Sequence, residues 1–242
     1  MMEEWADYYS NPDNLQKIAK HCRYREVVII KHLEDRDITV RPIKIFKKEH
    51  LSFWIERLNL RSTFFDIYIS NASVRLPLLP SDLQSLKYAR EMLNEKWETL
   101  MTGYDLFADI DIDKTVEREI ARVWAVKLTN ALKNEGYNNV QLWDTSRGFH
   151  IIDLGQFKPE FIKELIMDLC CKNEIPMSNP VKIINGEKYI PINKKWVKVE
   201  NEDDIPVVNK PNCDTGIWDI RRIRRVPYSL HSKTGKPMVR LL

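Results

Sequence analysis

Aspartates occupy alternate positions in Leu106-Phe107-Ala108-Asp109-Ile110-Asp111-Ile112-Asp113. A period of two is the period of a β-strand, in which successive side chains point to opposite faces. Asp109, Asp111 and Asp113 then line one face, with Phe107 at the head of the row. Ala108, Ile110 and Ile112 line the other face and can be buried. Like charges this close repel, so such a strand is unstable alone. Divalent cations remove the repulsion, and hard carboxylate oxygens suit Mg²⁺ or Mn²⁺. Read alone, the row fits a solvated acidic face as well as it fits a metal site.

The chain has 242 residues, enough for one large or two small domains with a sizeable core. With 43% hydrophobic and 30% charged residues it reads as soluble and globular. No apolar run approaches the roughly 18 residues of a membrane span. The acidic start, Met1-Met2-Glu3-Glu4-Trp5, lacks the basic-then-apolar order of a signal peptide. An intracellular protein without a membrane partner is expected. Cys22, Cys170, Cys171 and Cys213 form no C-x-x-C pair, so neither a zinc knuckle nor a disulfide framework is expected. Cys170 and Cys171 follow the apolar run from Ile162 to Leu169 and read as helix core. The net charge of +3 hides a basic stretch from Arg221 to Arg240 that contains no acid. It suits phosphates, or a solvated tail. The interleaved Ile223, Val226, Pro227, Tyr228 and Leu230 argue against a simple tail.

Val27 to Ile30, Ile38 to Phe46 and Phe64 to Val74 read as strands. Ser81-Asp82-Leu83-Gln84 forms a capping-box pattern opening a helix with Leu83, Leu86, Leu93, Trp97 and Leu100 in its core. After the aspartate strand, Val116 to Glu135 reads as a helix with Ile120, Val123, Trp124, Leu128 and Ala131 on one side. Gly136 is its C-terminal cap. Val140 to Trp143 and Phe149 to Leu154 read as strands joined by a turn containing Gly148, and Pro159 to Cys171 as a helix. The β-α-β-β-α order predicts a mixed α/β (α+β) domain with sheets flanked by helices. From about 173 to 211 the chain turns polar and rich in Pro and Lys. There Asn185-Gly186 signals a type I′ hairpin between Val181–Ile184 and Lys188–Ile192, in a peripheral insertion. Residues 1–242 are expected to form one catalytic domain.

Two further segments carry chemistry. In Asp144-Thr145-Ser146-Arg147-Gly148-Phe149-His150, an arginine and a histidine flank a glycine at a turn. Glycine permits close backbone approach to a ligand, arginine forks onto phosphate oxygens and histidine can donate to one. Alternatively, Arg147 is a surface turn residue and His150 a satisfied sheet histidine. In the third segment, Asp214-Thr215-Gly216-Ile217-Trp218-Asp219 runs into a cluster of cations ending Lys233-Thr234-Gly235. A metal–triphosphate site needs both halves: carboxylates for metals, cations for phosphates.

Taken in order, Tyr104 to Asp111, then Arg147-Gly148-Phe149-His150, then Arg225-Val226-Pro227-Tyr228-Ser229-Leu230-His231-Ser232-Lys233-Thr234-Gly235 resemble the archaeo-eukaryotic primase superfamily. The chain is most similar to the catalytic small subunit of archaeal and eukaryotic DNA primase. Tyr8-Tyr9, Arg25-Glu26, the strand around Arg41, Ile67 to Pro77 and Lys96-Trp97 extend the resemblance through the N-terminal half. It implies a primase-polymerase catalytic domain with an RRM-like βαββα unit. It also implies Mg²⁺ or Mn²⁺ on Asp109, Asp111 and Asp214, with Asp219 an alternative third carboxylate and Asp113 outside the core set. Arg147, His150, Arg225, Ser229, His231 and Lys233 match nucleotide contacts, and Arg41 a sugar-proximal arginine. Arg222, Arg224 and Lys236 are placed along template phosphates. The family turn begins Ser-Gly, where this chain has Asp144-Thr145 or Ser146-Arg147. The family's zinc knuckle has no counterpart, so no zinc is expected and the chain looks trimmed relative to a replicative subunit.

The activity implied is template-directed primer synthesis and extension in DNA replication, by a two-metal DNA-directed nucleotidyltransferase. Its partners would be a single-stranded DNA template, nucleoside triphosphates and a primase large subunit. Its place would be the cytoplasmic nucleoid, or the nucleus in a eukaryote. Two alternatives stand beside it: a stand-alone repair or mobile-element primase-polymerase, and a catalytically silent nucleic-acid-binding module.

Overall fold

A computed structural model describes residues 2–75, 83–112, 118–206, 212–215 and 221–242. These residues cluster as two compact units. The first comprises Met1–Tyr104 with Arg221–Val239, the second Asp105–Ile220 with Arg240–Leu242. Ser81, Asp82, Asp113, Val116 and Asp219 lie outside the described residues, so the capping box, the third acid of the aspartate row and the alternative third carboxylate do too.

The first unit opens with helices α1 (Met2–Ser10) and α2 (Pro12–Cys22). The Asn11 side chain caps α2, accepting from the backbone N–H groups of Asp13 and Asn14. Strands β1 (Val27–His32) and β2 (Asp37–Ile43) follow, then α3 (Lys48–Arg57), β3 (Phe65–Ser70), β4 (Ala72–Val74) and α4 (Leu83–Leu100). The strand expected to reach Phe46 ends at Ile43, and the one expected over 64–74 divides at Asn71. Beyond Asn71, β4 turns away to pair with the start of β5 (Met101–Asp111), Ala72 opposite Tyr104. Helix α4 keeps Leu86, Leu93 and Trp97 buried. It bends at Lys96, whose φ and ψ are non-helical.

The basic stretch contributes a fourth strand, β12 (Ile223–Arg225), to a sheet ordered β12-β3-β1-β2. The apolar residues between its cations enter the core: Val226 and Leu230 pack with Trp5, Tyr9, Ile67 and Phe65. The Trp5 and Trp54 side chains are core, while Phe53 is exposed. Tyr8 Oη donates to the Tyr228 carbonyl (2.6 Å), and the Leu230 N–H donates to Tyr9 Oη (3.0 Å). The tandem tyrosines of α1 thus pin the segment after β12.

In the second unit, α5 (Arg118–Asn134) follows β5, then β6 (Gln141–Asp144), β7 (Gly148–Phe157) and α6 (Pro159–Asn173). This is the expected β-α-β-β-α succession. The sheet order is β11-β5-β7-β6-β13, with β11 at Asn212–Cys213 and β13 at Val239–Arg240. The face of α5 differs from the expected one. Its buried residues are Ala121, Ala125, Leu128, Thr129 and Leu132, while Ile120 and Val123 are exposed. The spacing 121, 125, 128, 132 is a regular helical stripe, and small alanines permit close approach to the sheet. Gly136 caps the helix at φ +96°.

Strands β8 (Lys182–Ile184), β9 (Glu187–Ile192) and β10 (Lys195–Lys198) form a separate three-stranded sheet. Both residues of the Asn185-Gly186 turn have positive φ, as a type I′ turn requires. Asn193 and Lys194 repeat the device, so the expected hairpin is a three-stranded meander. Asp168 of α6 anchors it, accepting from Lys182 Nζ (2.8 Å) and Trp196 Nε1 (2.7 Å). All four cysteines are buried and unbridged. Among the described residues no helix is long and apolar enough to cross a membrane.

His21 of α2, beside Tyr228, is pushed down to about 4 by burial, then by the charges of Arg224, Lys20 and Arg25. Between that value and its ordinary 6.5 the unfolded chain binds a proton that the folded chain does not. Stability therefore rises with pH across this window and is lost on acidification, by at most about 3 kcal/mol. In urea unfolding at pH 5 and pH 7, His21→Phe is expected to shrink the difference between the two midpoints. An unchanged difference would remove His21 from the pH response.

Candidate functional site

The carboxylate row lies where the alternation puts it. On β5, Ala108, Ile110 and Ile112 are buried, whereas Asp109 and Asp111 keep partial solvent access. Strand β11 pairs antiparallel with β5, Asn212 opposite Asp111 and Cys213 opposite Ile110. The Asp214 N–H donates to the Asp109 carbonyl (2.8 Å), continuing this ladder by one residue. Residues directly opposite in an antiparallel pair share a face. Asp214 is thereby set beside Asp109, on the face that also carries Asp111.

Asp214 has supports that the sequence reading missed. Ser178 Oγ donates to its Oδ1 (3.3 Å), and the Thr215 N–H donates to Ser178 Oγ (2.9 Å). The Asn179 N–H in turn donates to Thr215 Oγ1 (2.9 Å). No spacing rule links residues so far apart in sequence; only the pairing of 212–215 with 176–179 does. Behind the carboxylates Cys213 is fully buried. A hydrogen bond to Cys170 and burial hold its thiol well above the usual range, and the charges of Cys170, Asp109 and Asp214 add to this. It is a packing residue.

On β7, His150 is buried, with Nε2 3.7 Å from Asp109 Oδ1. The Phe107 ring, from the same row as the aspartates, meets the imidazole edge-on at 4.9 Å. The turn before β7 is braced by Asp144, which accepts from the Ser146 N–H (2.7 Å) and from Arg118 Nη2 (2.5 Å). Arg118 also donates to the Ser146 carbonyl and lies over the Phe149 ring. Ser146 takes the positive φ, +67°. Arg147 is exposed beside it. Gly148 has a packing reason of its own. A Cβ there would sit 2.5 Å from the Ile110 carbonyl oxygen, so the close approach it permits is that of β5, the aspartate strand.

Strand register puts the carboxylates of Asp109, Asp111 and Asp214 on one face, and hard carboxylate oxygens are donors of the type a divalent cation takes. Among the described residues, no three His, Cys, Asp or Glu side chains are grouped closely enough to hold a metal ion.

The first unit holds the remaining predicted residues. Arg225 and Arg224 are buried on β12, and Arg224 Nη1 donates to Asn71 Oδ1 (2.6 Å). Arg224 is thus fixed in the interior rather than offered along a template strand, whereas Arg222, Lys233 and Lys236 are exposed. Ser229 is fully buried, and its hydroxyl donates to the Val226 carbonyl (2.7 Å). Arg41 forks onto the buried Glu26 carboxylate at 2.6 and 2.9 Å. His231 begins a turn in which Thr234 and Gly235 N–H groups return to its carbonyl. Its Nδ1 accepts from the Lys233 N–H (3.0 Å), which places the ring proton on Nε2, the nitrogen able to donate to a phosphate.

Comparison of the whole chain with solved structures finds a match to the polymerase domain of Mycobacterium tuberculosis ligase D, solved in complex with DNA. The TM-score is 0.58 at 10% identity, over 100% of this chain and 81% of that one. The chain has a primase-polymerase fold. Neither the protein-family models nor the curated proteins give a match. At this identity the primase-polymerase likeness concerns the fold.

Gly148→Ala forces β7 from β5 and is expected to cost roughly 1–3 kcal/mol. Thermal unfolding checks this, and an unchanged melting temperature would show that the two strands tolerate separation.

Proposed function

We propose that this chain is a primase-polymerase that transfers nucleotides from nucleoside triphosphates to a 3′-hydroxyl on a DNA template. The observation that carries the reading is the β11–β5 register, which sets Asp214 beside Asp109 on the face of Asp111. Asp109, Asp111 and Asp214 would hold Mg²⁺ or Mn²⁺. Such ions, when bound, supply Lewis-acid activation of the hydroxyl and neutralise the triphosphate. His150 and Arg147 add cationic or donor groups in the same unit, His150 held edge-on by Phe107. Arg225 and His231 are assigned to the incoming nucleotide through the resemblance of their block, and the Nε2 tautomer of His231 supports a donor role. Ser229 and Arg224 act within the fold, shaping the block from inside. Arg41 keeps the sugar-proximal assignment only as part of its pair with Glu26. Exposed Arg222, Lys233 and Lys236 would follow backbone phosphates, making template binding salt-dependent. A primase large subunit would be a partner for initiation.

A second reading, a stand-alone repair polymerase that extends existing ends, is favoured by the likeness to a domain of a ligase. Comparing primed with unprimed templates separates the two. In either case Asp111→Asn removes a carboxylate ligand and relieves repulsion. Incorporation is expected to fall by on the order of 100-fold or more, with a melting temperature equal to or above that of the parent. An Asp111→Asn protein extending primers at the normal rate would sink the assignment.

A further inference from the structure

The turn that presents His231 is tied to the core by its neighbour. Asp66, buried on β3, accepts twice from Ser232: Oδ1 from the backbone N–H (3.0 Å) and Oδ2 from the hydroxyl (2.5 Å). Asp66 Oδ2 also bonds His32 Nε2 (2.8 Å), and His32 Nδ1 bonds Asp37 Oδ1 (2.8 Å). Both ring nitrogens of His32 face carboxylates, which only accept, so the imidazole is cationic when both bonds form. Burial alone would lower the His32 pKa. The bonds to Asp66 and Asp37 outweigh it and hold the pKa above its ordinary value. Burial likewise pushes Asp66 up. The Ser232 hydroxyl and N–H, then His32 and His231, hold it below the usual carboxylate range.

Asp37, His32, Asp66 and Ser232 thus form one chain running from β2 through β1 and β3 to the turn. Lys233 and Thr234, at the tip of that turn, are exposed. Without an anchor such a loop would sample many conformations, and a donor must be oriented before the ligand arrives to bind it well. We infer that Asp66 and Ser232 are positioning residues that hold the 231–235 turn against β3, so that His231 meets the nucleotide triphosphate with its Nε2–H. The inference rests on the triphosphate role proposed above for His231. It adds Asp66, which belongs to none of the three motifs, and gives a role to Ser232, which the third motif contains.

A double-mutant cycle tests it, using a fluorescent deoxynucleoside triphosphate with Mn²⁺ for Kd and primer extension for kcat. Ser232→Ala removes the hydroxyl bond and leaves the N–H bond. It is expected to raise the nucleotide Kd roughly 5-fold, the effect of one hydrogen bond to a charged group's partner. The kcat should stay within about 2-fold, since uniform binding is lost and not transition-state binding. Ser232→Thr, which keeps the hydroxyl, should restore the parental Kd. In a His231→Ala background, Ser232→Ala should add nothing, because it acts through the missing ring. A purely structural Ser232 would give the same Kd increase in both backgrounds, and that result would overturn the inference, as would an unchanged Kd for Ser232→Ala where His231→Ala raises it. An unchanged Kd for His231→Ala overturns the triphosphate role itself, and this inference with it.

Discussion

The pairing of β11 with β5 puts three carboxylates on a single sheet face. Strand β5 buries Ala108, Ile110 and Ile112 and turns Asp109 and Asp111 outward, and β11 adds Asp214 next to Asp109. Carboxylates so placed oppose folding unless something else holds the strands together. The structure supplies it from behind and from the sides. Cys213 and Ile110 are fully buried, Gly148 lets β7 approach the Ile110 carbonyl, and Ser178 and Thr215 fasten the Asp214 loop. Under the proposed function, divalent cations would relieve the repulsion, as hard carboxylate oxygens allow.

The basic segment follows a comparable logic with the opposite sign. Four arginines in close succession, Arg221, Arg222, Arg224 and Arg225, would not form a buried strand by charge alone. The alternation with Ile223, Val226 and Leu230 pulls β12 into the sheet and takes Arg224 and Arg225 inside. Arg224 finds Asn71 there. The two tyrosines of α1 and the Asp66 clamp then fix the chain beyond β12. The result is a short turn with a defined histidine tautomer rather than a solvated tail.

Much of this was legible because it rests on local periodicity. A period of two placed Ile110 inside and Asp109 outside, and Asn185-Gly186 announced a turn with both residues at positive φ. What could not be read rests on pairings distant in sequence. Ser232 and Asp66 are 166 residues apart, and nothing in either segment signals the other. The face of α5 was misjudged for a different reason. Ile120 and Val123 are the more hydrophobic residues, but close packing on the sheet selected Ala121 and Ala125 for their size. The packing role of Gly148 was not legible either, since a glycine that admits a neighbouring strand looks in sequence like one that admits a ligand.

The most direct measurement is incorporation of single nucleotides by the purified chain on a DNA template, with and without a primer, as Mg²⁺ or Mn²⁺ is titrated. Template-directed catalysis predicts that only the nucleotide complementary to the next template base is added, and only in the presence of the metal. Absence of metal-dependent incorporation with either metal and with ribo- and deoxynucleotides alike would contradict it.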